Sequence, residues 1–223
     1  DRDYEKELRG LREQLLVMGG RVESLLATSL QALESRDHDL AQRTIAADLA
    51  VNQLELEIDR ACLRILARRQ PVASDLRFIT IALKAVTDLE RIGDLGVNIC
   101  ERVMELSSEP SVRPLLELPR MANEARTMLR EALDALVARD AVRAQAVIQR
   151  DQTVDVLHAH IFEQLLSHMM ENTRNVYRAT RLAFIAKYLE RIADHATNLA
   201  EMVVFMVCGQ DVRHLAREEV CLS

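Results

Sequence analysis

At 223 residues and 25.3 kDa, the chain can bury a core as one domain or two small ones without disulfides or a structural metal. A formal charge of -6, 3% aromatic residues and no Trp provide neither the electropositive footprint nor the stacking rings of a nucleic-acid binder. With only 6 Gly and 4 Pro, it is too poor in turn formers for a sandwich, a barrel or repeated βα crossovers, and an all-α fold is expected.

Helical periodicity predicts a first helix over about 4–35 and a break near Ser35 to Asp39, followed by a second helix over about 38–70. Pro71 stops that helix and Ser74 is suited to cap a third, over about 74–107. Pro110, Pro114 and Pro119 interrupt the next stretch and mark a connection over about 109–119. Beyond it, helices are expected over about 115–138, 140–171 and 174–208, with breaks at Arg139-Asp140 and Glu171-Asn172-Thr173. Apolar runs are short and no charged segment leads into an apolar one at the start, which predicts a soluble, cytoplasmic chain. Cys62, Cys100, Cys208 and Cys221 have no C-x-x-C spacing and are expected as reduced thiols.

The two halves repeat. Leu89-Glu90-Arg91-Ile92-Gly93-Asp94 returns as Leu189-Glu190-Arg191-Ile192-Ala193-Asp194, and Asn98 and Glu101 return as Asn198 and Glu201. Arg36, Asp37, Ala41, Ile45, Asp48 and Val51 likewise recur as Arg139, Asp140, Ala144, Ile148, Asp151 and Val154. The expected architecture is therefore a tandem duplication of an antiparallel three-helix bundle, with six long helices. Its parts are a first repeat over 1–108, the proline-rich connection over 109–119, and a second repeat with a short tail over 120–223.

On a wheel of 100° per residue, Glu90, Asp94 and Glu101 share one line at the edge of the apolar arc. Asp48, Asn52, Glu55 and Asp59 share another on the preceding helix. The short turn at Pro71 makes these helices antiparallel, which sets Asp48 near the level of Asn98 and Glu101, and Asn52 and Glu55 near Asp94 and Glu90. Facing rows of like charge are unfavourable in a groove of reduced dielectric, and a cation is the simplest compensator. Carboxylate and amide oxygens suit hard divalent or ferric ions, so Fe, Mn, Zn and Mg are the candidates. The second repeat offers Asp151, Asp155 and His158 opposite Glu190, Asp194, Asn198 and Glu201, and an imidazole there favours a transition metal. Arg91 and Arg191 suit the role of solvent-side neutralisers, and His195 projects away from the acidic line. The competing readings are a solvated acidic face and a di-metal carboxylate oxidase or ion-storage bundle. The latter requires two Glu-x-x-His elements in a four-helix unit, which the sequence lacks. No phosphate loop, nucleophile elbow or H-E-x-x-H helix is present, and no catalytic residue is assigned.

Gln70-Pro71-Val72-Ala73-Ser74-Asp75-Leu76-Arg77, the segment Asp88 to Asp94 with Asn98, the segment Ala186 to His195 with Asn198, and the closing Gly209, Arg213 and His214 together resemble the PhoU family of phosphate-uptake regulators. The resemblance spans both halves. It implies a pair of three-helix bundles, often dimeric, that bind metal ions through the motif at Glu90 and Asp94 and at Glu190 and Asp194, with Asp48 and Asp151 as partners. It also implies a cytoplasmic, non-enzymatic adaptor that negatively regulates the phosphate regulon. Such an adaptor couples the ATPase subunit of a phosphate ABC importer to a sensor histidine kinase and meets the membrane only through those partners. Ala193 in place of Gly93 is expected to be a harmless small-for-small change. The contrast of Asn52 and Glu55 with Asp155 and His158 points to unequal metal occupancy of the two sites.

Overall fold

A computed structural model describes residues 2–71, 73–110 and 117–209. Pro114, Arg213, His214 and Cys221, which figure in the sequence argument, lie outside the described residues. Among the described residues seven α-helices run in chain order: α1 (Arg2–Ser35), α2 (His38–Ala47), α3 (Leu49–Arg69), α4 (Ala73–Leu106), α5 (Glu117–Ala138), α6 (Ala141–Glu171) and α7 (Val176–Cys208). A single 3-10 turn, Thr173–Asn175, precedes α7. No strand occurs among the described residues, and none of their helices is long and apolar enough to cross a membrane.

The duplication is visible in the turns. Arg36 and Arg139 both take left-handed backbone, with φ of 54° and 53°. The following aspartates then cap the next helices: Asp37 accepts from Leu40 N at 2.9 Å and Asp140 from Arg143 N at 3.0 Å. Gln70 ends α3 in the same left-handed region, with φ of 47°, just before Pro71. The role expected of Ser74 is not the one observed, because α4 already includes Ala73 and Ser74 lies inside its first turn. In the second repeat Asn172 supplies the cap, accepting from Arg174 N at 3.0 Å.

The expected single helix over 38–70 is instead two helices that meet at Asp48. There the amide bonds the carbonyl only three residues back, Asp48 N to Ile45 O at 3.2 Å, before the ladder resumes with Asn52 N to Asp48 O at 3.1 Å. Its duplicate α6 runs unbroken through Asp151.

The two bundles share one core and lie side by side. Helices α3, α4, α7 and α6 form a layer in that order, and α1 and α5 cover one side of it while touching each other. Contacts between α4 and α7 run in opposite residue order: Glu105 meets Arg181 at 3.0 Å, Asp88 meets His195 at 2.7 Å, and Arg77 lies over the Phe205 ring at 5.7 Å. The duplicated helices are therefore antiparallel and cross near Ile92 and Ile192, both fully buried. Small residues allow the layers to approach closely. Gly96 faces Leu25 and Ser29 of α1, and Gly19 faces Leu133 of α5.

Candidate functional site

In the first repeat, Asp48 at the α2–α3 break turns its carboxylate inward against α4 and is only 8% exposed. Oδ2 accepts from Asn52 Nδ2 at 2.9 Å, whereas Oδ1 is buried without a hydrogen-bond partner, as is Asn52 Oδ1. Burial is the main reason the Asp48 carboxyl lies above the usual aspartate range. The Asn52 hydrogen bond opposes that rise and the Asp94 charge adds to it. Glu90 is pushed up to about 7, first by desolvation, then by the charge of Asp94 and a hydrogen bond shared with it. Arg91 offsets part of this and Glu55 reinforces it. Glu55 is raised by burial, Asp59 and Asp94. Arg91 reaches Glu90 at 3.5 Å and Asp94 at 3.6 Å from an exposed position, as a solvent-side neutraliser would.

In the second repeat, Asp194 is pushed up to about 6 by desolvation and by Glu190, Asp151 and Asp155, with Lys187 opposing. Asp151 Oδ1 accepts from Thr197 Oγ1 at 3.4 Å. Glu190 Oε2 is buried and forms an ion pair with Lys187 that lacks hydrogen-bond geometry.

The register differs from the expected one by about a helical turn. Asp48 packs against Gly93 and senses Asp94, so it does not lie level with Asn98 and Glu101. Glu101 is exposed and pairs with Arg102 at 3.5 Å, and Asn98 is half-buried beyond Asp94. Asn198 leaves the acidic row altogether: its Nδ2 donates to Asp88 Oδ1 of α4 at 3.1 Å, alongside His195 Nδ1. A carboxylate only accepts, so Nδ1 of His195 carries the proton in that 2.7 Å contact. Glu201 lies half-buried about two turns beyond Asp194. Among the described residues, His158 makes no ion pair or hydrogen bond with the carboxylates of its repeat. The inter-repeat role of Asp88 and the contribution of Thr197 carry no local sequence signal, because their partners are on other helices.

Among the described residues, no three His, Cys, Asp or Glu groups stand close enough to form a finished ion shell. The arrangement is a reserve of oxygen donors: orphaned Asp48 Oδ1 and Asn52 Oδ1, with Asp94 beside them and Glu90 holding its proton up to about pH 7. That donor set fits a hard cation, which would replace the proton and complete the orphaned atoms. The groove of about 500 Å³ between α1 and α3 lies on the other side of α3; Gly10, Val17, Leu54 and Ala61 line it together with Glu7, Glu13 and Gln14, and Glu7 is already paired with Arg69 at 3.0 Å.

Known proteins share this arrangement of helices. The chain is 42% identical over 213 residues to the phosphate-specific transport system accessory protein PhoU homolog of Pseudomonas putida, covering 95% of this chain and 83% of that one. It is 37% identical over 217 residues to the corresponding accessory protein PhoU of Escherichia coli K12, covering 97% and 90%. The crystal structure of PhoU from Pseudomonas aeruginosa matches with a TM-score of 0.91 at 40% identity, covering 93% of this chain and 100% of that one. The phosphate transport system regulatory protein PhoU from Streptococcus pneumoniae matches with a TM-score of 0.86 at 29% identity, covering 94% and 99%. The PhoU domain matches residues 15–103 and again 118–203, one copy in each bundle, and the chain belongs to the PhoU family.

Proposed function

We propose that this chain is a cytoplasmic, metal-binding accessory protein that regulates phosphate uptake. In this reading it couples the ATPase subunit of a phosphate importer to a sensor histidine kinase, as a negative regulator and as a homodimer. Relatives named as phosphate-specific transport accessory proteins support the regulatory part. The observation that carries the metal part is the buried, unpartnered Asp48 Oδ1 beside Asp94 and the raised carboxyl of Glu90. Burying a carboxylate oxygen without a partner is costly, and a cation bound by Asp48, Asn52, Glu90 and Asp94 would remove that cost. In the second repeat Asp151, Asp155, Glu190 and Asp194 would serve. The ion holds one helix against its neighbour and so fixes the surface offered to partner proteins. The reading includes no bond-making step.

Elemental analysis of the untreated protein tests the metal part, and capture of the importer ATPase at high and low phosphate tests the adaptor part. The double variant Glu90→Gln, Asp94→Asn should lose the ion of the first repeat. Unchanged metal content in that variant would overturn the ligand assignment while leaving the adaptor reading standing.

A further inference from the structure

The two acidic grooves differ at two positions that no ligand rule would select. Gly93 of the first repeat corresponds to Ala193 of the second, a change that the packing of Asp48 against Gly93 makes more than the harmless one expected from size alone, and Val97 corresponds to Thr197. At Gly93, an added Cβ would lie 3.0 Å from Asp48 Oδ1 and 3.5 Å from Val51 Cγ1. The absent methyl is thus the space into which the Asp48 carboxylate sinks, and α2 and α3 break at that residue. Where Ala193 fills the same space, α6 continues as an unbroken helix and Asp151 remains half-buried. The second difference acts in the same direction. Thr197 donates to Asp151 Oδ1 at 3.4 Å, whereas Val97 has no hydroxyl to offer, and Asp48 Oδ1 is orphaned.

We infer that Gly93 and Val97 are positioning residues that hold the Asp48 carboxylate deep and unpartnered, making the first groove the tight cation site, and that Ala193 and Thr197 make the second groove the weak one. Binding at the first groove completes an oxygen that is otherwise desolvated and unsatisfied. Binding at the second must displace a hydroxyl already in place and draw in a shallower carboxylate. The inference rests on the metal reading above and adds to it an order of filling, set by residues that donate no ligand atom.

Calorimetric titration of the chelator-treated, full-length protein with Mn²⁺, a hard ion suited to oxygen donors, tests it. The wild type should bind two ions in separate phases. Gly93→Ala should weaken the tight phase by about 10- to 100-fold, the usual effect of losing support for a ligand. The same variant should melt about 2–4 °C higher than wild type in EDTA, because Ala is the better helix residue and the Asp48 oxygen, bound to nothing, moves outward into water. A residue needed only for close packing would lower the melting temperature and leave Mn²⁺ affinity unchanged, and that result would overturn the inference. Ala193→Gly with Thr197→Val should strengthen the weak phase, and this decides the matter should Gly93→Ala fail to fold. Two phases that none of these substitutions moves would sink the inference while sparing the metal reading. No Mn²⁺ uptake by the wild type would sink both.

Discussion

Glu90 shows how one carboxyl can record the balance of forces in the first groove. Burial and the neighbouring Asp94 raise it from 4.5 to about 7, and Asp194 is raised from 3.8 to about 6 by the corresponding forces in the second repeat. Each folded-state value lies above the unfolded one. The folded chain therefore keeps a proton that the unfolded chain gives up, and the associated stability is complete below about pH 4.5 for Glu90 and is lost as pH rises through about 7. In EDTA, Glu90→Gln should match the wild type near pH 4 and melt about 2–4 °C higher at pH 8, measured by thermal unfolding across that range. A variant that gains equally at both pH values would show that the carboxyl is not held protonated. For the same reason, metal uptake at this groove should weaken as pH falls below about 7, since the ion must expel the proton.

The identical glycine residue type has opposite consequences along the helices. Gly96 brings α4 against α1, and a Cβ there would come within 2.5 Å of Leu25 Cδ2. Gly20 faces open space on α1. Gly96→Val should therefore cost about 1–3 kcal/mol through overpacking, whereas Gly20→Ala should gain about 0.5–1 kcal/mol through helix propensity, both measured by urea unfolding. Most helix ends were legible in the sequence because Pro71 and the Arg-Asp turns act locally, within a residue or two of the effect. The acidic rows were legible too, since a period of 3.6 determines which residues share a face. The axial register was not: a turn at Gln70-Pro71 establishes antiparallel packing but allows a sliding of about one turn, so Asp48 came to rest against Gly93 and not beside Asn98. The break at Asp48 was also illegible, because it belongs to the packing of a carboxylate into space on another helix. Asn198, expected among the ligands, is drawn to Asp88 by a tertiary contact that no spacing along one helix encodes.

Across the whole molecule, the polar link of Asp88 with His195 and Asn198 joins the repeats where the α4–α7 contact is otherwise mostly apolar. The link has no duplicate: Tyr188 and Leu95 occupy the corresponding positions. With side chains 13% and 18% exposed, Asp88 and His195 are shielded enough for their hydrogen bond to count. A double-mutant cycle with Asp88→Ala and His195→Ala should give a coupling of about 1–2 kcal/mol in urea unfolding, and additive losses would show that the contact contributes nothing of its own. Continuity of the core from Leu8 to Val204 also predicts that the repeats unfold together.

Because α1 and α5 cover the same side of the four-helix layer, the carboxylate grooves between α3 and α4 and between α6 and α7 both open on the other side. The molecule is thus a plate with unlike surfaces, and with cations bound as proposed the charge on one would follow their supply while that on the other would not. Anything pressed against the adjustable surface would sense both grooves at once, as a single change in electrical potential.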